Sequence, residues 1–375
     1  MDTKDKNTNI DLSSSGVMFP DSSVSPGEIV EVMRPQGGRE TVETPPIVAE
    51  GGKGQPKKSP TPLQESLRRL WRDKRAVASI GVIIFFILLA LIGPPIYQHI
   101  GGIYNSPTNG PIGPSKYHNP YWQELTNQDQ FISGMYWLGT DDLGRDMLAR
   151  LMQGVLISLT VAVLVEIVDI VMGVLIGVLA GYYGGWIDQV LARVTDIVFA
   201  FPGLLFVILL TGIFGPQADI VFSKIPVIGP NGNARLILVS IALAFVAWPL
   251  MARFVRGQTL QLKEQQFVEA ARTAGTTDTQ IILRHIIPNL LSIVIVASTL
   301  DISNTIIGEA GISLLGLGVQ PPGSSIGLMI VQGQAMIDSN PWEVLLPSIV
   351  LAIIVLAFSF LGDGLNDAFN PRSKD

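Results

Sequence analysis

The sequence predicts an all-α membrane protein that crosses the bilayer six times. Three observations carry this. Charged residues are only 15% of the 375, against about a quarter in a soluble domain. Mean hydropathy is positive, at +0.42. Six apolar runs recur between polar connections, each about 17 to 26 residues long, enough to cross a hydrocarbon core at ~1.5 Å per residue. The formal charge of −6 bears little on this, because orientation follows the placement of Lys and Arg rather than net charge. The chain has no cysteine, which excludes disulfides, thiolate metal sites and a cysteine nucleophile. Its three histidines, His99, His118 and His285, are too scattered in sequence to indicate a metal centre. The first apolar run starts near Ala76, too late for a cleavable signal peptide.

Residues 1 to about 60 are rich in Ser, Pro, Gly, Thr and Glu without a sustained period, and read as a disordered cytoplasmic tail. Thr61-Pro62-Leu63-Gln64 then places an N-cap, a proline at the first helical position and a capping-box glutamine in series. Leu63, Leu67, Leu70 and Trp71 line one face, and Arg68, Arg69, Arg72, Lys74 and Arg75 supply positive charge. Residues 61–75 therefore read as an amphipathic helix on the cytoplasmic leaflet.

The transmembrane domain expected over 76–375 has spans at about 77–96, 155–180, 197–214 (with Pro202 inside), 236–252, 286–307 and 344–362. Lys and Arg number 13 on the segments that share the side of Thr61 and 5 on the opposite segments, so both termini are expected in the cytoplasm. The connection 101–130 is rich in Pro, Gly, Asn and Tyr and reads as irregular. It leads to 139–151, where Leu143, Met147 and Leu151 repeat every four residues and Asp141 is a candidate N-cap for a short outer-surface helix. A second outer segment, 308–322, ends in a Gly/Pro-rich re-entrant or surface turn.

Between the fourth and fifth spans lies a polar, helix-forming island at 265–289, within the cytoplasmic loop 253–288. Phe267, Ala270, Ala271 and Ala274 fall at i, i+3, i+4 and i+7, on one face of a short helix. Gly275 is placed to end that helix in the left-handed conformation. Thr277 with Gln280 forms a capping-box pattern that restarts a second helix, carrying Ile281, Ile282, His285 and Ile286 up to Pro288. An amphipathic unit of this kind is more than a connecting loop needs, and points to a docking partner.

Glu166 and Asp169 sit mid-span, three residues apart and on one helical face. Two acidic centres cost about 5–7 kcal/mol on an insertion scale, against about −8 kcal/mol from the Leu, Ile and Val of the same span, so the carboxyls are expected to avoid lipid. Either they line a translocation path and meet a cationic substrate group, or they are protonated or hydrogen-bonded to neighbouring helices; the second is the default. Asp301 lies similarly in the fifth span with Ser298, Ser303 and Asn304 nearby, so Glu166, Asp169, Asp301 and Asn304 are the candidate path residues.

Glu269-Ala270-Ala271, three residues, Gly275, nine residues and His285-Ile286-Ile287-Pro288 resembles the EAA loop of binding-protein-dependent ABC transporter permeases. GTDDLGRDMLARL (139–151), AGYYGGWIDQVLARVTDIVFAFP (180–202), EAGISLLGLGVQPP (309–322) and LGDGLNDAFNPR (361–372) resemble the C-type permease of the dipeptide, oligopeptide and nickel subfamily. Glu166 and Asp169 depart from that pattern, which is commonly apolar or small there. The resemblance implies the type I ABC importer permease fold. It also implies ATPase coupling through Phe267, Glu269, Ala270, Ala271, Arg272, Ala274, Gly275 and Pro288. The implied partners are a second homologous permease subunit, two ATP-binding subunits and an extracytoplasmic substrate-binding protein, in the inner (cytoplasmic) membrane and its lipid, with no nucleic acid.

No G-x-x-x-x-G-K-[ST] phosphate loop occurs in the chain. No cofactor is therefore expected on it, with ATP and magnesium in the partner ATPase, and it is read as a transport subunit rather than an enzyme. Di- or oligopeptides are the first expected substrate, ahead of nickel chelate, glutathione or another small solute. An intramembrane enzyme is disfavoured, since no histidine lies within a span and Glu166 and Asp169 are too close on one helix for an opposed dyad. An ion-coupled secondary transporter would use those carboxyls as its ion site.

Overall fold

The computed structural model describes residues 62–100, 118–225 and 233–369. The expected tail at 1–60, Thr61, and the connection over 101–117 lie outside the described residues. The regular elements among the described residues are all helices, and six of them are long and apolar enough to cross a membrane.

Helix α1 (Pro62–Leu70) buries Leu70 against Ala76 and Ala368, while Leu67 and Trp71 stay exposed. Its apolar stripe is thus split between the protein and the surroundings. The first span is α2 (Lys74–Ile100). The second, α3 (Met147–Tyr183), has 37 residues, about 55 Å of helix, and projects well beyond a ~30 Å hydrocarbon core. Helix α4 (Gly185–Ala200) is separate from the third span, α5 (Gly203–Phe222). The expected span with Pro202 inside is corrected here. Phe201 is extended at φ −72°, ψ 132° and Pro202 caps α5, because a proline ring disfavours the helical conformation in the residue before it.

The fourth span is α6 (Arg235–Lys263) and the fifth is α9 (Ile287–Leu314), continuous with the short elements before it. Helix α9 runs past the expected end at 307 and takes Glu309 and Ser313 into the helix. The sixth span is α11 (Trp342–Phe369). A further buried helix, α10 (Ile326–Gln334), was not foreseen. Ser325 caps it by accepting from the Leu328 N–H at 3.2 Å.

Spans two and four form the centre. Gly173, Gly177 and Gly181 repeat every four residues along α3 and face α6. A Cβ on Gly177 would lie 2.6 Å from the Ala252 carbonyl oxygen and one on Gly181 2.8 Å from that of Arg256. Only glycine permits this approach, the small-residue packing of membrane helices. Outside the membrane end of this pair, Asp188 on α4 takes two guanidinium hydrogen bonds from Arg256, at 2.5 and 2.7 Å. Those bonds hold its carboxyl below the usual carboxylate range.

Candidate functional site

The polar island is held at the end of the α3/α6 pair. After Lys263, the chain turns and forms α7 (Gln266–Thr273). Gly275 N–H donates to the Arg272 carbonyl (3.0 Å) and Thr276 N–H to that of Ala271 (3.1 Å), the paired bonds of a Schellman ending. Gly275 has φ +79°, and nothing crowds its missing side chain. The backbone angle, not space, calls for glycine there.

Helix α8 (Asp278–Ile281) follows, and the expected capping box is corrected: the Thr277 side chain makes no cap bond, and Gln280 is exposed. The turn is held from outside instead. The Tyr182 hydroxyl donates to Asp278 Oδ1 at 2.7 Å, and Lys263 Nζ donates to the Gly181 carbonyl at 3.1 Å. Residues Ile282–Ile286 form a π-turn in which Ile287 N–H reaches the Ile282 carbonyl. The widened turn precedes Pro288, whose ring would crowd the carbonyl four residues back in a regular helix.

The island has two faces. Val268, Ile281, Ile282 and Ile286 are buried with Val178, Tyr182, Met251 and Val255, and Ala271 packs against them. Val268, fully buried, is the anchor that the sequence reading missed; its signal is the i, i+3 pairing with Ala271. Phe267, Glu269, Ala270, Arg272 and Ala274 are exposed, as are Gly275 and Pro288. The Ala-rich face is therefore turned outward, apart from half-buried Ala271, with Phe267 beside the His285 ring at 6.3 Å.

The intramembrane carboxyls come together. Glu166 and Asp169 on α3 and Asp301 on α9 bring carboxylate oxygens within 4.8 Å of one another. Asp169, Asp301 and Asn304 line a cavity of about 300 Å³ with Met251, Phe254 and Leu300. Glu166 is buried and is not among the residues that line it.

Two motifs outside the island resolve into buried polar networks. Asp141 does not cap a short surface helix, which is a correction. Asp146 caps α3, accepting from Leu148 N–H (2.9 Å) and Ala149 N–H (3.1 Å), and its other oxygen meets His118 Nδ1 at 2.6 Å. Met147 and Leu151 thus belong to the first turns of α3. Asp141 instead accepts from both Arg145 and Arg150, each 1% exposed, and Arg150 also donates to Gln332 at 2.5 Å. Burial, then the charge of Asp141, pushes the Asp142 carboxyl above its usual range. Glu309 is buried and accepts from Ser158 of α3 and Ser313 of α9, both at 2.8 Å.

Residues 173–375 match the family described as binding-protein-dependent transport system inner membrane component, and residues 61–109 match the N-terminal transmembrane domain of oligopeptide transport permease C. The chain is 37% identical over 311 residues to the oligopeptide transport system permease protein OppC of Escherichia coli (strain K12), covering 83% of this chain and 91% of that protein. It is 34% identical over 314 residues to the dipeptide transport system permease protein DppC of Alkalihalophilus pseudofirmus, covering 84% and 91%. It is 36% identical over 314 residues to the glutathione transport system permease protein GsiD of Escherichia coli O6:K15:H31, covering 84% and 92%. Among solved structures, an inward-facing MetNI methionine ABC transporter chain aligns with TM-score 0.46 and 21% identity, over 60% of this chain and 98% of that one.

Proposed function

The chain belongs to the family of binding-protein-dependent transport system inner membrane components, and from that premise we propose that it is one of two membrane-spanning subunits of an ATP-driven importer of di- or oligopeptides. The second permease subunit is a homologue, and two ATPase subunits supply the energy. An extracytoplasmic binding protein delivers the substrate. Both termini lie in the cytoplasm of a cell whose inner membrane the six helices span.

The observation that carries this reading is the two-faced island. One face, Val268 with Ile281, Ile282 and Ile286, fastens the island to the bundle. The other presents Phe267, Glu269, Ala270 and Ala274 to the outside. Small alanine side chains let a docked partner approach the helix backbone, and Glu269 and Arg272 flank that approach with charge. Motion of such a partner reaches α3 through the Tyr182–Asp278 bond and the spans through α9, which continues from the island without a break. ATP binding on the partner closes the two ATPases, the paired islands move together and the spans open outward. Hydrolysis resets them.

Peptide is the proposed cargo because relatives named for oligopeptide and dipeptide transport match along most of their length. A glutathione-transport relative matches comparably, so glutathione is the second reading. Uptake of a labelled tripeptide into vesicles tests both points. The importer reading requires uptake to depend on ATP and on co-expressed ATPase subunits. Uptake that persists without ATP and collapses with an uncoupler contradicts it. Uptake of glutathione but of no α-linked tripeptide moves the cargo to the second reading.

A further inference from the structure

We propose that α1 and the turn after it gather anionic phospholipids from the adjoining membrane leaflet. Arg68, Arg69, Arg72, Lys74 and Arg75 meet the headgroup phosphates, and Leu67 and Trp71 reach past them into the acyl region.

The packing of α1 sets its level. Leu70 is buried against Ala76 in the first turn of α2 and Ala368 in the last turn of α11, with Ile80 and Leu365 alongside. The two spans cross closely there, since a Cβ on Gly364 would lie 2.5 Å from that of Ala76. Helix α1 therefore sits where two spans end, at the depth of the headgroups. The helical turn carries on past Leu70, with Trp71 N–H donating to the Leu67 carbonyl and Arg72 N–H to that of Arg69, both at 3.0 Å. It stops at Asp73, whose Oδ1 accepts from the Arg75 N–H at 2.8 Å and caps the first span.

The outward face combines free cations with bare apolar surface. Trp71 is 65% exposed and Leu67, one turn before it, 49%. Arg68, Arg69, Arg72, Lys74 and Arg75 are all exposed around them. Among the described residues none of the five takes part in an ion pair, although Asp363 and Asp367 stand exposed at the same end of α11. The acids of 62–75 are Glu65 and Asp73, and Asp73 is spent on the cap. Water would satisfy the cations but not the tryptophan, and lipid tails the tryptophan but not the cations. A layer of phosphates above hydrocarbon satisfies both. Indole rings settle at headgroup depth, and guanidinium forks match phosphate oxygens. Each basic side chain near an anionic leaflet strengthens attraction about fivefold, an advantage that a zwitterionic leaflet does not offer.

The proposal rests on the six-helix fold and not on the importer reading, so its test needs neither ATP nor the ATPase. Full-length protein is reconstituted in phosphatidylcholine nanodiscs holding a small, equal mole fraction of either brominated phosphatidylglycerol or brominated phosphatidylcholine. Trp71 is one of 6 tryptophans, so its share of the fluorescence is the difference between wild type and Trp71→Phe. Brominated phosphatidylglycerol is expected to quench that share roughly threefold more strongly than brominated phosphatidylcholine. The preference should fade at about 1 M salt, where the Debye length is ~3 Å. Arg68→Gln/Arg69→Gln/Arg72→Gln should abolish it, and Arg68→Lys/Arg69→Lys/Arg72→Lys, which keeps the charge, should retain it. All three arginines are exposed, so both variants should melt like the wild type. Equal quenching by the two lipids, a preference that survives in the glutamine variant, or one lost in the lysine variant overturns the proposal. Quenching by neither lipid also overturns it and gives this face to a protein partner.

Discussion

The Tyr182 hydroxyl donates to Asp278 Oδ1 at 2.7 Å, tying the last turn of the second span to the first residue of the helix that follows Gly275. Tyr182 is buried among Val178, Val268 and Ile281 while Asp278 is exposed, so the bond joins the fixed face of the island to its outer rim. The same helix, α3, carries Glu166 and Asp169 further along. A push on the island and a change among the intramembrane carboxyls are therefore linked by one rod.

Removing that bond should loosen coupling without harming insertion. A hydrogen bond to a charged group is worth about 1.5 kcal/mol at the low end of its range, roughly tenfold in an equilibrium. Tyr182→Phe keeps the buried ring and is expected to lower ATP-driven uptake several-fold at wild-type protein abundance. Uptake into vesicles normalised to membrane-inserted protein measures this. Wild-type uptake would mean that the packing of Val268 and the isoleucines transmits motion unaided.

The glycine stripe should tolerate no side chain. Gly177→Leu puts atoms where the Ala252 carbonyl oxygen already sits, 2.6 Å from the first added carbon. Separation of α3 from α6 is the expected outcome, read as a large fall in melting temperature in detergent. Gly212→Ala, which has open space at its Cβ, is the matched control and should melt like the wild type.

Asp141 is expected to be among the least replaceable carboxylates. It serves two guanidinium groups that are both 1% exposed. Breaking a buried pair by removing one partner costs about 3–5 kcal/mol, because the other charge stays buried. Asp141→Ala should cut the amount of folded protein sharply, whereas Asp363→Ala, far from this network in the chain, should not. Quantitative blotting of the membrane fraction measures both.

Acid should release the Asp188–Arg256 tie. The Arg256 guanidinium depresses the Asp188 carboxyl in the folded state. Its stabilising contribution is thus full above the unfolded pKa of about 3.9 and is lost as pH falls through the lower folded value. Wild-type melting temperature is expected to fall more steeply below about pH 4 than that of Arg256→Gln, with the curves parallel above pH 5. Parallel curves throughout would show that the pair contributes nothing measurable.

Much of this was legible from the residues because the bilayer demands long apolar runs, and the α2, α3, α6, α9 and α11 cores lie where those runs lie. The third span was misplaced because its apolar run extends unbroken from α4 through Phe201 into α5, and hydropathy is blind to the backbone stop that Pro202 imposes. Helix α10 escaped notice because its 9 residues are far too few to span, and its burial comes from neighbours distant in sequence. The Gly275 break was readable because a left-handed angle has one usual residue. Thr277 misled, since the local capping pattern lost to a tertiary bond from Tyr182. Asp301 joining Glu166 and Asp169 could not be read at all, as it depends on the rotation of α9 against α3.

The central claim is that the outward face of α7 receives force from an ATPase. Its most direct test is ATP-dependent uptake by reconstituted importer carrying Glu269→Lys, with Gly275→Pro alongside. Both positions are exposed and neither packs in the bundle, so membrane insertion should match the wild type. The account predicts that uptake is abolished in both. Normal uptake in either variant would contradict it.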